Sequence, residues 1–155
     1  MFSPSTIVAD HVARVPVDLE AMIADLGLKL ERASLGPDIA GKLTRDPTAL
    51  AGFRIVVNTR DNPARQRFTM AHEVAHYVLH RDLISEGVVD DALYRSSLSD
   101  GYEREADRFA AQILLPAQAV KDAFRKQRGL APLADIFGVS VAALRIRLNE
   151  LGLGV

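Results

Sequence analysis

The stretch His72-Glu73-Val74-Ala75-His76 constrains this chain more than any other feature. It lies within residues 64–80, where Phe68, Ala71, Val74, Ala75, Val78 and Leu79 recur at helical spacing and give a wide apolar stripe. On a helix, residues four apart share a face, one turn of about 5.4 Å apart, so two imidazoles at this spacing can converge on one ion. Zinc takes neutral nitrogen ligands at about 2.0–2.1 Å in near-tetrahedral geometry. Glu73 is rotated by about 100° from His72, so it flanks such an ion rather than ligating it. Its carboxylate stands where a water, brought by zinc toward a pKa of about 7, can lose its proton. The pattern therefore points to one Zn2+ per chain, with Glu73 as catalytic base for attack on a carbonyl. On an ordinary amphipathic helix the same pentapeptide would be packing alone, so the rest of the chain must supply a third ligand.

His80 continues the series 72, 76, 80, but His72 and His80 stand about 12 Å apart along the axis and cannot touch one ion. It reads instead as a helix-end residue facing the last carbonyls or the rim of the site. His11, the only other histidine, falls in an early helix and reads as a surface residue. The better third ligand is Glu103. Tyr102-Glu103-Arg104-Glu105-Ala106-Asp107 puts Glu103 and Asp107 on one helical face. One carboxylate can bind the metal, and the other can accept the distal N–H of a ligating histidine and fix its tautomer. Glu105 competes for the ligand role from a different face. Acidic residues also suit a helix start for dipole reasons alone.

Around these motifs the 155 residues read as α+β and mainly helical, with a small three-stranded antiparallel sheet. Residues 4–14 and 17–26 read as short helices, with Ser3 or Ser5 as a cap and Gly27 as a stop. Strands are expected at 28–32, 39–44 and 53–58, the last being rich in β-branched residues. Asp61-Asn62-Pro63 marks a turn and a helix start. Residues 81–101 read as a loop with one helical turn. Tyr102–Leu115 forms the second strong helix, and Pro116 ends or kinks it. Three more helices are expected in 117–155, with breaks near Gly129–Pro132 and Gly138–Ser140.

Composition removes whole classes of function. With no cysteine there is no disulfide, thiolate ligand or thiol nucleophile. A formal charge of -1 gives no basic field to make nucleic acid the default partner. The first residues lack a secretory pattern, and no apolar run reaches the roughly 20 residues a membrane span needs, so a cytoplasmic location away from membranes is expected.

The sequence resembles the ImmA/IrrE family of zinc metallopeptidases at Arg67 to His80 (RFTMAHEVAHYVLH) and at Glu103 to Pro116 (EREADRFAAQILLP). The strand ending at Asn58 and the tail also fit, so the likeness spans roughly residues 10–152. It implies a zincin-like peptidase core over 1–116, of gluzincin type, with a helical tail over 117–155 packed on it. It implies His72, His76 and Glu103 as metal ligands, Glu73 as general base and Asp107 behind a ligand. The expected substrate is a helix-turn-helix repressor encoded nearby, whose cleavage switches on stress, phage-defence or mobile-element genes. Some relatives work with such a partner as toxin–antitoxin pairs. Two departures are expected: some relatives carry a separate sensor domain, for which these 155 residues are not expected to have room, and some have a cysteine that can hold the zinc in an inactive state, where this sequence has none. Control would come from a partner, a ligand or metal supply.

Leu133 to Leu148 resembles a helix-turn-helix. Ala134 suits close packing, Gly138 the turn and Leu144 the core, while Arg145 and Arg147 would face DNA. Six Lys/Arg against three Asp/Glu in 117–155 is a mild excess rather than a binding stripe. A DNA- or protein-binding regulator with a structural or vestigial zinc site is therefore the competing reading. For the peptidase, a substrate strand would pair along an exposed sheet edge, for which 53–58 is one candidate. Tyr77, His80, Tyr94 and Tyr102 are the candidates for oxyanion or substrate contact.

Overall fold

The computed structural model describes residues 2–83, 88–90 and 97–154. Among them run seven α-helices and four strands. These are α1 (Pro4–His11), α2 (Leu19–Asp25), β1 (Lys29–Ala33), β2 (Gly41–Arg45), β3 (Phe53–Asn58), α3 (Pro63–His80), β4 (Val88–Asp90), α4 (Ser97–Leu114), α5 (Ala117–Lys126), α6 (Leu130–Phe137) and α7 (Val141–Glu150). Short polar side chains start four of the helices. Ser3, Asp18, Asn62 and Ser140 accept from the N–H groups of Thr6, Ala21, Arg65 and Ala143 at 2.9–3.2 Å. Each such cap is worth about 1 kcal/mol. Pro63 occupies the first turn of α3, where its missing N–H costs nothing. Pro116 stands between the end of α4 and the start of α5.

The sheet order is β1-β3-β2-β4, and it is mixed rather than three-stranded antiparallel. β3 runs parallel to β1, with Ile55 opposite Leu30, and antiparallel to β2, with Ile55 opposite Leu43. β4 adds antiparallel to the outer side of β2. Residues 53–58 are therefore interior and offer no edge. The reason is burial: Phe53, Ile55, Val56, Val57 and Asn58 are all shielded from solvent, and a strand so apolar takes the middle with partners on both sides. β1 carries the exposed Lys29, Glu31 and Arg32, which suit an edge.

β3 is inserted between two strands that run antiparallel to each other without touching. Residues 34–40 must therefore pass over its end, and Asn58 holds them there. Its Nδ2 donates to the carbonyls of Gly36 (2.7 Å) and Ile39 (2.8 Å), while its Oδ1 accepts from the N–H groups of Leu35 (3.3 Å) and Arg60 (3.0 Å). A buried amide with its groups satisfied fixes such a crossing firmly.

Helix α3 lies between this sheet and α4. Every residue from Thr69 to Tyr77 is buried, which is wider than the expected stripe, because α3 is covered on two sides. The start of β2 presses on it: a Cβ at Gly41 would come within 2.4 Å of Thr69 Cγ2 and 2.6 Å of the Val56 oxygen. Leu79, assigned to the apolar stripe by spacing, is 43% exposed. Helix α4 starts at Ser97 rather than Tyr102, and 81–101 holds a 3-10 turn and β4 besides, so it is not simply a loop. Tyr94 lies outside the described residues.

One apolar cluster runs from Val8 and Val17 through Ile55 and Val74 to Leu133, Phe137, Leu144 and Leu148. Arg67 of α3 ties the tail to it, donating to the carbonyls of Val17 (3.1 Å), Phe137 (3.4 Å) and Gly138 (3.2 Å). Gly138 closes α6 with φ +68, and a Cβ there would meet Arg67 Nε at 2.6 Å. No helix among the described residues is long and apolar enough to cross a membrane.

Candidate metal centre

Helices α3 and α4 pack along each other and exchange polar side chains in the contact. The i, i+4 spacing brings the His72 and His76 rings edge to face, with centroids 4.6 Å apart. Both rings turn Nε2 toward one carboxylate from α4. His72 Nε2 lies 3.0 Å from Glu103 Oε2, and His76 Nε2 lies 2.8 Å from Glu103 Oε1. One ligand atom from each of the three residues falls within 4.8 Å of the others. Two ligands on a tetrahedral zinc at about 2.05 Å stand about 3.3 Å apart, so the spacing suits that ion. The donor set, two imidazoles and a carboxylate, also suits it.

The surroundings prepare each donor. Burial of Glu103 opposes its ionisation, but the bonds from His72 and His76 outweigh this and hold its carboxyl well below the usual range. It is an anion at neutral pH. Asp107, one turn along α4, sits 2.8 Å from His72 Nδ1. That contact suits a proton on Nδ1, so that a cation taking the place of the Nε2–Glu103 hydrogen bond would meet the Nε2 lone pair. Glu73, next to His72 on α3, is wholly buried. Phe68 lies against the His72 ring at 6.3 Å.

The remaining expected residues divide. Glu105 points to His80 rather than to the His72–His76 pair, at 3.3 Å from His80 Nε2. His80 is buried beside His76, and the two Nδ1 atoms are 3.0 Å apart. It does not face the last carbonyls of α3; Arg81 does, donating to the oxygens of Tyr77 (3.0 Å) and Val78 (2.8 Å). Burial pushes the His80 pKa below its ordinary value, against the opposing pull of Glu105. Tyr102 packs its ring on His80 at 4.8 Å. Tyr77 lies on the sheet side of α3, edge to face with Phe53 at 5.6 Å and beneath Arg81. His11 pairs with Asp25 at 2.6 Å on the first two helices. Arg145 is exposed on α7, while Arg147 turns inward and donates through Nε to the Leu115 carbonyl at 2.9 Å. Sequence reasoning missed the pairing of His80 with His76. Its only signal is that the fourfold spacing continues for one more turn.

Comparison with known proteins fits this geometry. The model of the IrrE N-terminal-like domain, a peptidase family, matches residues 24–149. The chain is 33% identical over 102 residues to the radiation response metalloprotease IrrE of Deinococcus radiodurans, covering 62% of this chain and 30% of that protein. It is 27% identical over 99 residues to the metallopeptidase ImmA of Bacillus subtilis, covering 63% and 57%. A solved Mycobacterium tuberculosis transcriptional regulator shares the fold, with a TM-score of 0.63 at 21% identity over 94% of this chain and 46% of that one. The chain thus spans between about a third and three fifths of the curated relatives it matches.

Proposed function

We propose that this chain, which belongs to the ImmA/IrrE family of metallopeptidases, is a zinc-dependent endopeptidase that makes a site-specific cut in a regulatory protein. The observation that carries the reading is the convergence of His72 and His76 from α3 with Glu103 from α4. These three side chains would hold one Zn2+. Zinc, when bound, supplies a Lewis acid that polarises a carbonyl and acidifies a water.

The chain's own residues do the rest. Asp107 accepts the His72 Nδ1–H and keeps that ring in the tautomer that can ligate. Glu103, held as an anion, neutralises charge that would otherwise stay buried between the helices. Glu73 receives a proton on its carboxylate and returns it to the leaving amide nitrogen. A substrate strand would pair with an outer strand of the sheet, β1 or β4, since β3 is interior. Tyr102 remains the candidate for steadying the oxyanion, standing one residue before Glu103 on α4.

The substrate class we favour is a helix-turn-helix repressor, whose loss would release stress or mobile-element genes. A cytoplasmic setting goes with that substrate. We also read the chain as a peptidase core over 1–116 and a helical tail over 117–155, with the tail in a packing role because Arg147 is committed to Leu115. The test is coexpression with a helix-turn-helix protein encoded nearby. Cleavage by the wild type and none by Glu73→Gln, with zinc retained in both, is the expected result. Cleavage that survives Glu73→Gln would refute the reading. Salt-sensitive DNA binding lost on Arg145→Ala would support the regulator instead.

A further inference from the structure

The two histidines of the centre stand in unlike surroundings. His72 is backed by a carboxylate, Asp107. His76 is backed by another imidazole, with its Nδ1 3.0 Å from His80 Nδ1. A neutral imidazole has one donor and one acceptor nitrogen, so one ring must donate in this contact and the other accept. His76 turns Nε2 toward Glu103 Oε1, where a cation would need its lone pair. With a cation there, its proton belongs on Nδ1, and it is the donor. His80 must then accept at Nδ1 and carry its own proton on Nε2. That Nε2 lies 3.3 Å from Glu105 Oε1, a carboxylate oxygen that can accept its N–H. The directions agree along the whole chain: His76 donates to His80, and His80 donates to Glu105.

His80 is also fixed in place. It is 6% exposed and lies against the Tyr102 ring at 4.8 Å. Both of its α4 neighbours, Tyr102 and Glu105, flank Glu103 in sequence. The helix that brings the carboxylate to the two rings thus also holds the residue behind one of them.

We propose that His80 is a positioning residue for His76, accepting its Nδ1–H, and that Glu105 keeps His80 in the tautomer able to do so. This rests on the reading of His72, His76 and Glu103 as a zinc site. The acceptor behind His76 is neutral and the one behind His72 is charged, so His76 is the more weakly anchored of the two.

The test uses full-length, zinc-loaded protein. With 15N-labelled histidine, long-range proton–nitrogen spectra of the wild type should show His76 protonated at Nδ1 and His80 protonated at Nε2 only. His80→Phe keeps a buried ring and removes the acceptor, and should weaken zinc binding about 10–100-fold in competition with a chromogenic chelator. His80→Asn puts an amide oxygen where Nδ1 stood and should restore affinity to within about threefold of the wild type. Glu105→Leu should cost less, about three- to tenfold. A wild-type His80 protonated at Nδ1 overturns the proposal, whether or not the Phe variant folds. So does a folded His80→Phe protein with unchanged affinity. If Glu103→Ala abolishes zinc binding while His80→Phe leaves it intact, this inference alone fails. If the wild type takes up no zinc, the metal-site reading fails with it.

Discussion

The α3–α4 pair and the α6–α7 pair are both helices packed face to face, yet they bury opposite kinds of side chain. Between α6 and α7 the interior holds Leu133, Ala134, Phe137, Leu144 and Leu148, which gain from leaving water. Along α3 it holds His72, His76 and His80, each in contact with α4, and the buried Glu73. Burying groups of that kind costs free energy unless each is paired. The first pair explains itself as packing. The second offsets its cost by pairing, His72 with Asp107 and Glu103 and His76 with Glu103 and His80, and a shared cation would satisfy two imidazoles and a carboxylate at once. Both arise from the same i, i+4 geometry, so the side chains on the shared face decide whether it becomes a core or a site.

The comparison breaks most openly on activity. Glu73→Gln should lower cleavage by about 10²–10⁴-fold, the usual contribution of a general base. Peptide hydrolysis and zinc content, measured together, check this. In the apolar pair, Leu144→Ala should cost about 2–5 kcal/mol in urea unfolding and leave zinc affinity as it was. A large change in zinc affinity would mean that the two regions are coupled. Asp107→Ala, which removes the acceptor, should weaken zinc about 10–100-fold with little loss of fold, by freeing the His72 ring. Arg67→Met cuts the tie between them, where three carbonyls share one guanidinium, and should destabilise by about 1–3 kcal/mol in thermal melts.

The smallest effect lies away from both pairs. Bonds from the Thr48 hydroxyl and N–H, aided by Arg54, lower the Asp46 pKa from 3.8 to about 2. A carboxyl whose folded pKa is depressed adds stability above its unfolded value, and that stability drains away as pH falls through the folded one. Stability should therefore decline between about pH 4 and pH 2, and Asp46→Asn should flatten that part of the curve. An unchanged acid limb in the variant would place the acid sensitivity elsewhere.

Much of this was legible because it is local. The apolar spacing around His72, the Asn62-Pro63 start, the β-branched run of β3 and the glycine at 138 each act through neighbours a few residues away. The likeness of His72, His76, Glu103 and Asp107 to i, i+4 pairs on two helices was equally plain. The sheet order was not, because inserting β3 between β1 and β2 depends on contacts far apart in the chain. Asn58 looked like the end of a strand, and only the crossing of 34–40 shows why a buried amide stands there. Of the two roles its position suggests for His80, the carbonyl-capping one fails and the one beside the site holds, for the same reason. Its burial comes from Tyr102 and Glu105 on another helix, and Arg81 takes the carbonyl-capping role that its position suggested. Helix α4 began earlier than its apolar repeat because polar residues fill its first turns.

The central claim is that one zinc ion is shared by α3 and α4 through His72, His76 and Glu103. Elemental analysis of zinc-loaded, desalted protein tests it most directly. One zinc per chain in the wild type, and close to none in a folded Glu103→Ala variant, is the predicted result. A metal-free wild type, or a Glu103→Ala protein that keeps its zinc in full, would contradict it.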